Sequence, residues 1–250
     1  MAPNWSAIDN RSVFGRLLRL PLGLLPRTAV LRVRRGPARG LKWIVGSANH
    51  GCWLGTYELS KQNALLRFVR EGMTIYDIGA QAGFYTLFFS RLVGAAGRVY
   101  SFEPCPYEAR HLIDHVRINA LNNVKIIQAA VHDRSGLNGF TTGRPQTQNS
   151  LCPAEQALLC VPAVRLDDLG LPPPSLIKVD VEGAEGEVLA GAKRMLRADR
   201  PVIFVALHGP EPRRASRALL EEAGYAIHDL AGNRITGEPE GDEIYALPPR

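Results

Sequence analysis

MTIYDIGAQAGFYTLFFSRLV, residues 73–93, decides the fold. Its first six residues are mostly apolar, β-branched or aromatic without strict polar alternation, the pattern of a strand buried on both faces. Gly79 and Gly83 break the run four residues apart, and 84–93 then reads as a helix. A strand that feeds a helix through a glycine turn opens a βαβ unit. Downstream, strand-like runs recur at 98–102, 124–131, 176–181, 202–207 and 225–230, with helix-like runs at 106–120, 185–197 and 213–223. That rhythm predicts an α/β domain, a largely parallel sheet with helices on both faces. EIYAL at 243–247 offers a final strand.

The stretch 133–175 is rich in Gly, Thr, Gln, Asn and Pro and breaks the rhythm. It predicts an inserted loop and strand around the apolar run 158–164, a place suited to substrate selectivity. Upstream, Leu59, Leu65, Leu66 and Val69 recur at helical spacing across 57–72, with Gly72 as the closing glycine. A short strand is expected at 41–45, and a short basic amphipathic helix at 12–20, ended by Pro21.

Charge is unevenly spread. The 250-residue chain has a net charge of +6, yet residues 1–50 hold nine basic side chains and one acid, while 51–250 hold 21 basic and 23 acidic. The division predicts a basic N-terminal segment, 1–50, ahead of a near-neutral domain, 51–250. The 46% hydrophobic and 22% charged fractions are those of a globular protein and exclude a disordered or collagen-like chain. No run of 18 apolar residues exists, and no apolar core with a cleavage site marks a signal peptide. The Arg-rich, acid-poor start leaves an organellar transit peptide as the alternative. Cys52, Cys105, Cys152 and Cys160 show no C-x-x-C spacing and no zinc-like His partner, so reduced thiols and a cytoplasmic location are expected. Segment 1–50 is the candidate for a peripheral membrane contact.

Four motifs carry chemistry. In the turn Asp77-Ile78-Gly79-Ala80-Gln81-Ala82-Gly83, the glycines let backbone amides approach a nucleotide-like ligand. Asp77 argues against a pyrophosphate, which it would repel, and for a ligand with a cationic amine or sulfonium. About 20 residues on, Glu103 ends the next strand, where an acid accepts hydrogen bonds from both hydroxyls of a ribose. Ala129 and Ala130 are small enough for an adenine ring to lie against the chain. At the fourth strand's end, Lys178, Asp180 and Glu182 share one side, and Glu185 follows. Asp180 reads as a general base, and Glu185 and Glu187 equally as helix-start acids. His208 ends VIFVALH and is a second candidate base.

GTYE (55–58), YDIGAQAGFYT (76–86), GRVYSFEP (97–104), AAVHDRSG (129–136), VRLDDLG (164–170), IKVDVEGAEGEVLAGA (177–192) and RPVIFVALH (200–208), in that order, resemble the FkbM family of S-adenosylmethionine-dependent methyltransferases. The resemblance implies a Rossmann-like, class I sheet of seven strands, the last antiparallel. It also implies S-adenosyl-L-methionine as cofactor and O-methylation of a hydroxyl on a sugar, glycolipid, polysaccharide or secondary metabolite. Carried over, Asp77, Gly79, Ala80, Gln81 and Gly83 fall on the cofactor's methionine-side loop, Glu103 on the ribose, and Ala130 beside the adenine. Asp180, Glu182 and Glu185 fall at the reaction end. Two positions depart from the family pattern: Gln81 stands where Asn is usual, and Ala206 where Glu is usual.

Asp180, Glu182 and His208 are the expected catalytic residues, Asp180 also contacts the cofactor, and no residue is assigned to a metal, although the three acids Asp180, Glu182 and Glu185 offer a divalent cation an alternative place. The partner is a small-molecule or glycan hydroxyl acceptor, with no nucleic acid. Two alternatives stand beside this reading: a cofactor-binding protein with lost or altered catalysis, prompted by Ala206, and a nucleic-acid methyltransferase, prompted by the basic start. A nicotinamide dehydrogenase is disfavoured because the turn lacks G-x-G-x-x-G.

Overall fold

Strands that are apolar on both faces must be covered by helices on both sides, and the chain delivers the two in alternation. The computed structural model describes residues 22, 24–141, 150–152, 157, 159–237 and 241–249. The helix expected at 12–20 lies outside them.

An antiparallel hairpin, β1 (Val30–Arg32) and β2 (Lys42–Ile44), leads into α1 (His50–Leu54) and α2 (Leu59–Leu65). Then come β3 (Thr74–Ile78), α3 (Phe84–Val93), β4 (Arg98–Phe102), α4 (Pro106–Ile118) and β5 (Val124–Ile127). Four strands follow in succession: β6 (Ala130–Val131), β7 (Gly136–Thr141), β8 (Ser150–Cys152) and β9 (Leu159–Val164). The second half is β10 (Leu176–Val179), α5 (Glu185–Ala190), α6 (Lys193–Ala198), β11 (Val202–Ala206), α7 (Pro210–Glu222), β12 (Ala226–Asp229) and β13 (Glu243–Leu247).

The main sheet has seven strands in the order β12-β13-β11-β10-β3-β4-β5. β13 is antiparallel to both neighbours, and the pairs from β11 across to β5 are parallel, as expected. The chain builds outward from β3 to β5, then restarts on β3's other side with β10. The strand order therefore reverses between β3 and β10, where open α/β sheets bind ligands. Alternation along the strands sends Ile75, Val99, Leu176 and Phe204 to one core and Tyr76, Phe102, Ile177 and Val205 to the other. The first core also takes Val33, Ala38 and Trp43, so the described part of the basic segment packs against α3.

Four elements differ from expectation. The run 124–131 is not one strand: Ala129 N–H closes a tight turn onto Ile127 O (2.9 Å), and Ala130–Val131 leaves the main sheet to pair with β9. The inserted region is a second sheet, β6-β9-β7-β8, not a loop with one strand. The helix expected at 185–197 breaks in two at Gly191, where a Cβ would overlap the His132 carbonyl oxygen. Similarly, α2 stops at Leu65, and 66–72 is largely turns ending on Gly72 at φ 82°.

Candidate active site

The turn after β3 is shaped by close approach. A Cβ on Gly79 (φ 71°) would overlap the Asp180 carbonyl oxygen, so only glycine lets the ends of β3 and β10 meet here. Gln81 follows in the left-handed region (φ 48°), which turns its N–H toward Glu103 Oε2 at 2.7 Å. Glu103 Oε1 accepts from Cys105 N–H at 2.8 Å. Burial pushes the Glu103 carboxyl up to about 7, against the pull of these two backbone bonds.

Gly79, Gln81, Glu103, Ala130, Asp180 and Glu182 line a crevice of about 590 Å³ at the point where strand order reverses. Phe140 and Leu151 of the second sheet form its outer wall. Ala80, Tyr57, Tyr85 and Lys178 line an adjoining cavity of about 390 Å³, which shares Gly79, Gln81 and Asp180 with the crevice.

At the acidic end, Lys178 pairs in register with Asp77, Nζ to Oδ1 3.2 Å, and Thr86 Oγ1 donates to Asp77 Oδ2 at 2.7 Å. Lys61, on α2, is buried between Glu58 (2.7 Å), Asp180 (3.4 Å) and Glu243. Burial lowers its ammonium, but Asp180, Glu58 and Glu243 outweigh that and raise it. Burial alone would raise Asp180; Lys178, Lys61 and His208 outweigh it and hold the carboxyl below its usual range. Glu182 (φ 56°) is raised by burial and by Asp180 and Glu185, with His208 pulling the other way. His208 Nδ1 donates to Glu185 Oε1 at 2.8 Å, and this bond pushes the imidazole up to about 8. Its Nε2 faces Asp180 Oδ1 at 3.7 Å and Glu182 Oε2 at 3.6 Å.

Among the expected cofactor residues, Gly79, Gln81, Glu103, Ala130 and Asp180 therefore meet in one crevice. Asp77 lies behind the turn, fully buried, with its carboxylate on Lys178 and Thr86. Ala80 faces the second cavity, and Gly83 packs on Leu112 at the start of α3. The three expected catalytic residues converge. Lys61 and Glu243 carried no signal, because nothing local marks a helix lysine or a strand-start acid as a partner of Asp180. Phe140 was hidden in the region read as an insert.

The strand order with its antiparallel last strand, the glycine turn at the reversal and the acid ending the next strand define a class I S-adenosylmethionine-dependent methyltransferase. The methyltransferase FkbM domain model matches residues 77–227, and the chain belongs to that family. Methyltransferase sdnD of Sordaria araneosa is 29% identical over 206 residues, 66% of this chain and 77% of that protein. The crystal structure of methyltransferase FkbM from Methylobacillus flagellatus KT superposes with a TM-score of 0.52 at 16% identity, over 80% of this chain and 55% of that one. A SAM-dependent O-methyltransferase of Thermotoga maritima does so with a TM-score of 0.50 at 13% identity, over 77% and 65%. The chain thus spans about half the length of the first of these structures, and at such identities the likeness is one of fold.

The cofactor is S-adenosylmethionine, and the crevice fits it. The buried carboxyl of Glu103, which can accept from hydroxyls, and the small side chains of Ala129 and Ala130, which leave room for a flat ring, line it together. Among the described residues, no helix is long and apolar enough to cross a membrane.

Proposed function

We propose that the protein methylates a hydroxyl oxygen on a sugar, glycolipid, polysaccharide or secondary metabolite, in the cytoplasm. The observation that carries this reading is the His208–Glu185 pair: a fully buried carboxylate holds Nδ1–H and leaves Nε2 beside Asp180 and Glu182. Bound S-adenosylmethionine supplies an electrophilic methyl on a sulfonium, so the protein's part is alignment, exclusion of water and removal of one proton.

Glu103 receives the ribose hydroxyls, Ala130 gives the adenine room, and Gly79, Ala80, Gln81 and Gly83 shape the methionine-side turn, with Asp77 behind it. Asp180 and Glu182 hold the acceptor through its hydroxyls. Asp180 stays ionised beside two lysines and is a weak base. His208 is the better one, with Glu185 stabilising the imidazolium that forms. Ala206 leaves the end of β11 without the family's usual carboxylate, and Glu185 supplies one to His208 from the neighbouring strand's helix. That favours an active enzyme over a binder that has lost catalysis.

The test is label transfer from S-adenosylmethionine to a panel of hydroxylated glycans and polyketides. Transfer that His208→Asn abolishes while cofactor binding persists supports the reading. Unchanged transfer in that variant, or cofactor binding with no transfer to any hydroxyl, overturns it. Segment 1–50 is proposed as a surface contact with anionic lipid-linked acceptors. Its test is deletion of residues 1–20, because Val33 and Ala38 belong to the core and a longer cut would unfold the domain.

A further inference from the structure

We propose that Asp180, Glu182 and His208 form a binding site for one divalent first-row transition-metal cation, of the manganese or zinc type. One ligand atom from each lies within 4.8 Å of the other two. His208 Nε2 is 3.7 Å from Asp180 Oδ1 and 3.6 Å from Glu182 Oε2. These separations exceed an N–H···O bond of about 2.7–3.2 Å. They are too short for an intervening water, whose two bonds of about 2.8 Å would hold the end atoms roughly 4.6 Å apart. They do match two ligands on a common cation: with bonds of about 2.1 Å, such edges subtend an angle of about 120°.

Two further observations point to a cation. The ring is held from behind: Glu185 Oε1 accepts from Nδ1 at 2.8 Å and from Gly183 N–H at 3.0 Å, which directs Nε2 into the cluster. A carboxylate on the far nitrogen is the usual support of a metal-bound imidazole. Glu185 is fully buried, and its Oε2 has no hydrogen-bond partner among the described residues. Among the described residues the charge is also unbalanced. Six carboxylates (Glu58, Asp77, Asp180, Glu182, Glu185 and Glu243) are linked by ion pairs to two ammoniums, Lys61 and Lys178, and one imidazole.

One imidazole and two carboxylates suit borderline cations such as Mn²⁺ or Zn²⁺, and three protein ligands leave coordination positions open. Asp180 and Glu182 line the crevice, so the open positions face it. An acceptor with neighbouring hydroxyls would chelate there, and the cation would lower the pKa of the bound hydroxyl. This role rests on the proposed hydroxyl acceptor. It makes His208 Nε2 a ligand: with the cation bound, the coordinated hydroxyl, its pKa lowered, loses its proton to water instead of to His208, and the methyl transfer is otherwise the same.

The test uses the full chain, stripped with a chelator, and follows the electron paramagnetic resonance of free Mn²⁺, with Zn²⁺ titrated by calorimetry. One Mn²⁺ per chain is expected. Glu182→Gln and His208→Ala should weaken it at least tenfold, and Glu185→Gln by about 10–100-fold. Unchanged circular dichroism and retained cofactor binding will show that the variants fold. A free-ion signal unaffected by protein, or variants that bind Mn²⁺ like the parent, overturns the site. Methyl transfer that persists in chelator without bound Mn²⁺ overturns the cation's role in activating the hydroxyl and leaves the proposed reaction standing. Bound Mn²⁺ with no transfer to any hydroxyl sustains the site and overturns the reaction.

Discussion

Glu103 is a carboxyl with both oxygens already on backbone N–H groups and its titration lifted to about 7. In the role proposed for it Glu103 accepts from the ribose hydroxyls, which donate best to the ionised form, so a protonated Glu103 would lose its proton as the cofactor binds. Affinity for S-adenosylmethionine should therefore fall as pH drops through about 7, approaching tenfold per pH unit below it, as calorimetry between pH 5.5 and 8 would show. The free fold should respond in the opposite sense. A carboxyl raised from 4.5 to about 7 binds its proton more tightly in the native state, so this group's contribution to stability grows as pH falls from 7 toward 4.5. Glu108, raised by burial to the same value, adds to that trend. Glu103→Gln should weaken cofactor binding by about 10–100-fold, the worth of hydrogen bonds to a charged group, and flatten the pH dependence. At the other end of the crevice, His208→Asn should lower kcat by about 10²–10⁴-fold in a single-turnover assay, with cofactor affinity kept.

Among the elements, the β1–β2 hairpin works as a clamp. Trp43 of β2 is fully buried and stacks on the His115 ring, 4.0 Å between centroids. His115 Nε2 accepts from Ile44 N–H at 2.9 Å, and its Nδ1 donates to Ala82 O at 2.7 Å. The ring is thus neutral, burial holding it down to about 4, and it ties the hairpin to the cofactor turn through α4. Trp43→Ala should cost about 3–5 kcal/mol in urea unfolding, from lost burial and the cavity it leaves. The depressed His115 contributes stability that is complete above pH 6.5 and is lost as pH falls toward 4. A strand at 41–45 was legible from its residues, but its role was not. The groups that clamp it, His115 and Ala82, are distant in sequence and have no periodic relation to it. The second sheet is hidden in the sequence for a different reason. β6 is only two residues long and follows β5 after a tight turn, so the pair reads as one strand until hydrogen bonding assigns Ala130–Val131 to β9.

Across the whole molecule, Lys61 joins parts that the chain keeps far apart. Its ammonium lies between Glu58 before α2, Asp180 after β10 and Glu243 at the start of β13, and sits 5.4 Å from the centre of the Tyr85 ring. Lys61→Met should destabilise the fold by about 3–5 kcal/mol, because removing one partner leaves buried carboxylates uncompensated. A denaturant midpoint equal to that of the parent would refute this. By itself the sequence determined the α/β class, the positions of most strands and helices, and the acids at the strand ends. Periodicity, glycine punctuation and strand-end position are local properties that neighbouring residues set together. The tertiary structure alone decided that strand order reverses between β3 and β10, that a second sheet walls the crevice, and that Glu185 stands behind His208. Those depend on which distant surfaces bury best against each other, and no stretch of chain contains both sides of such a contact.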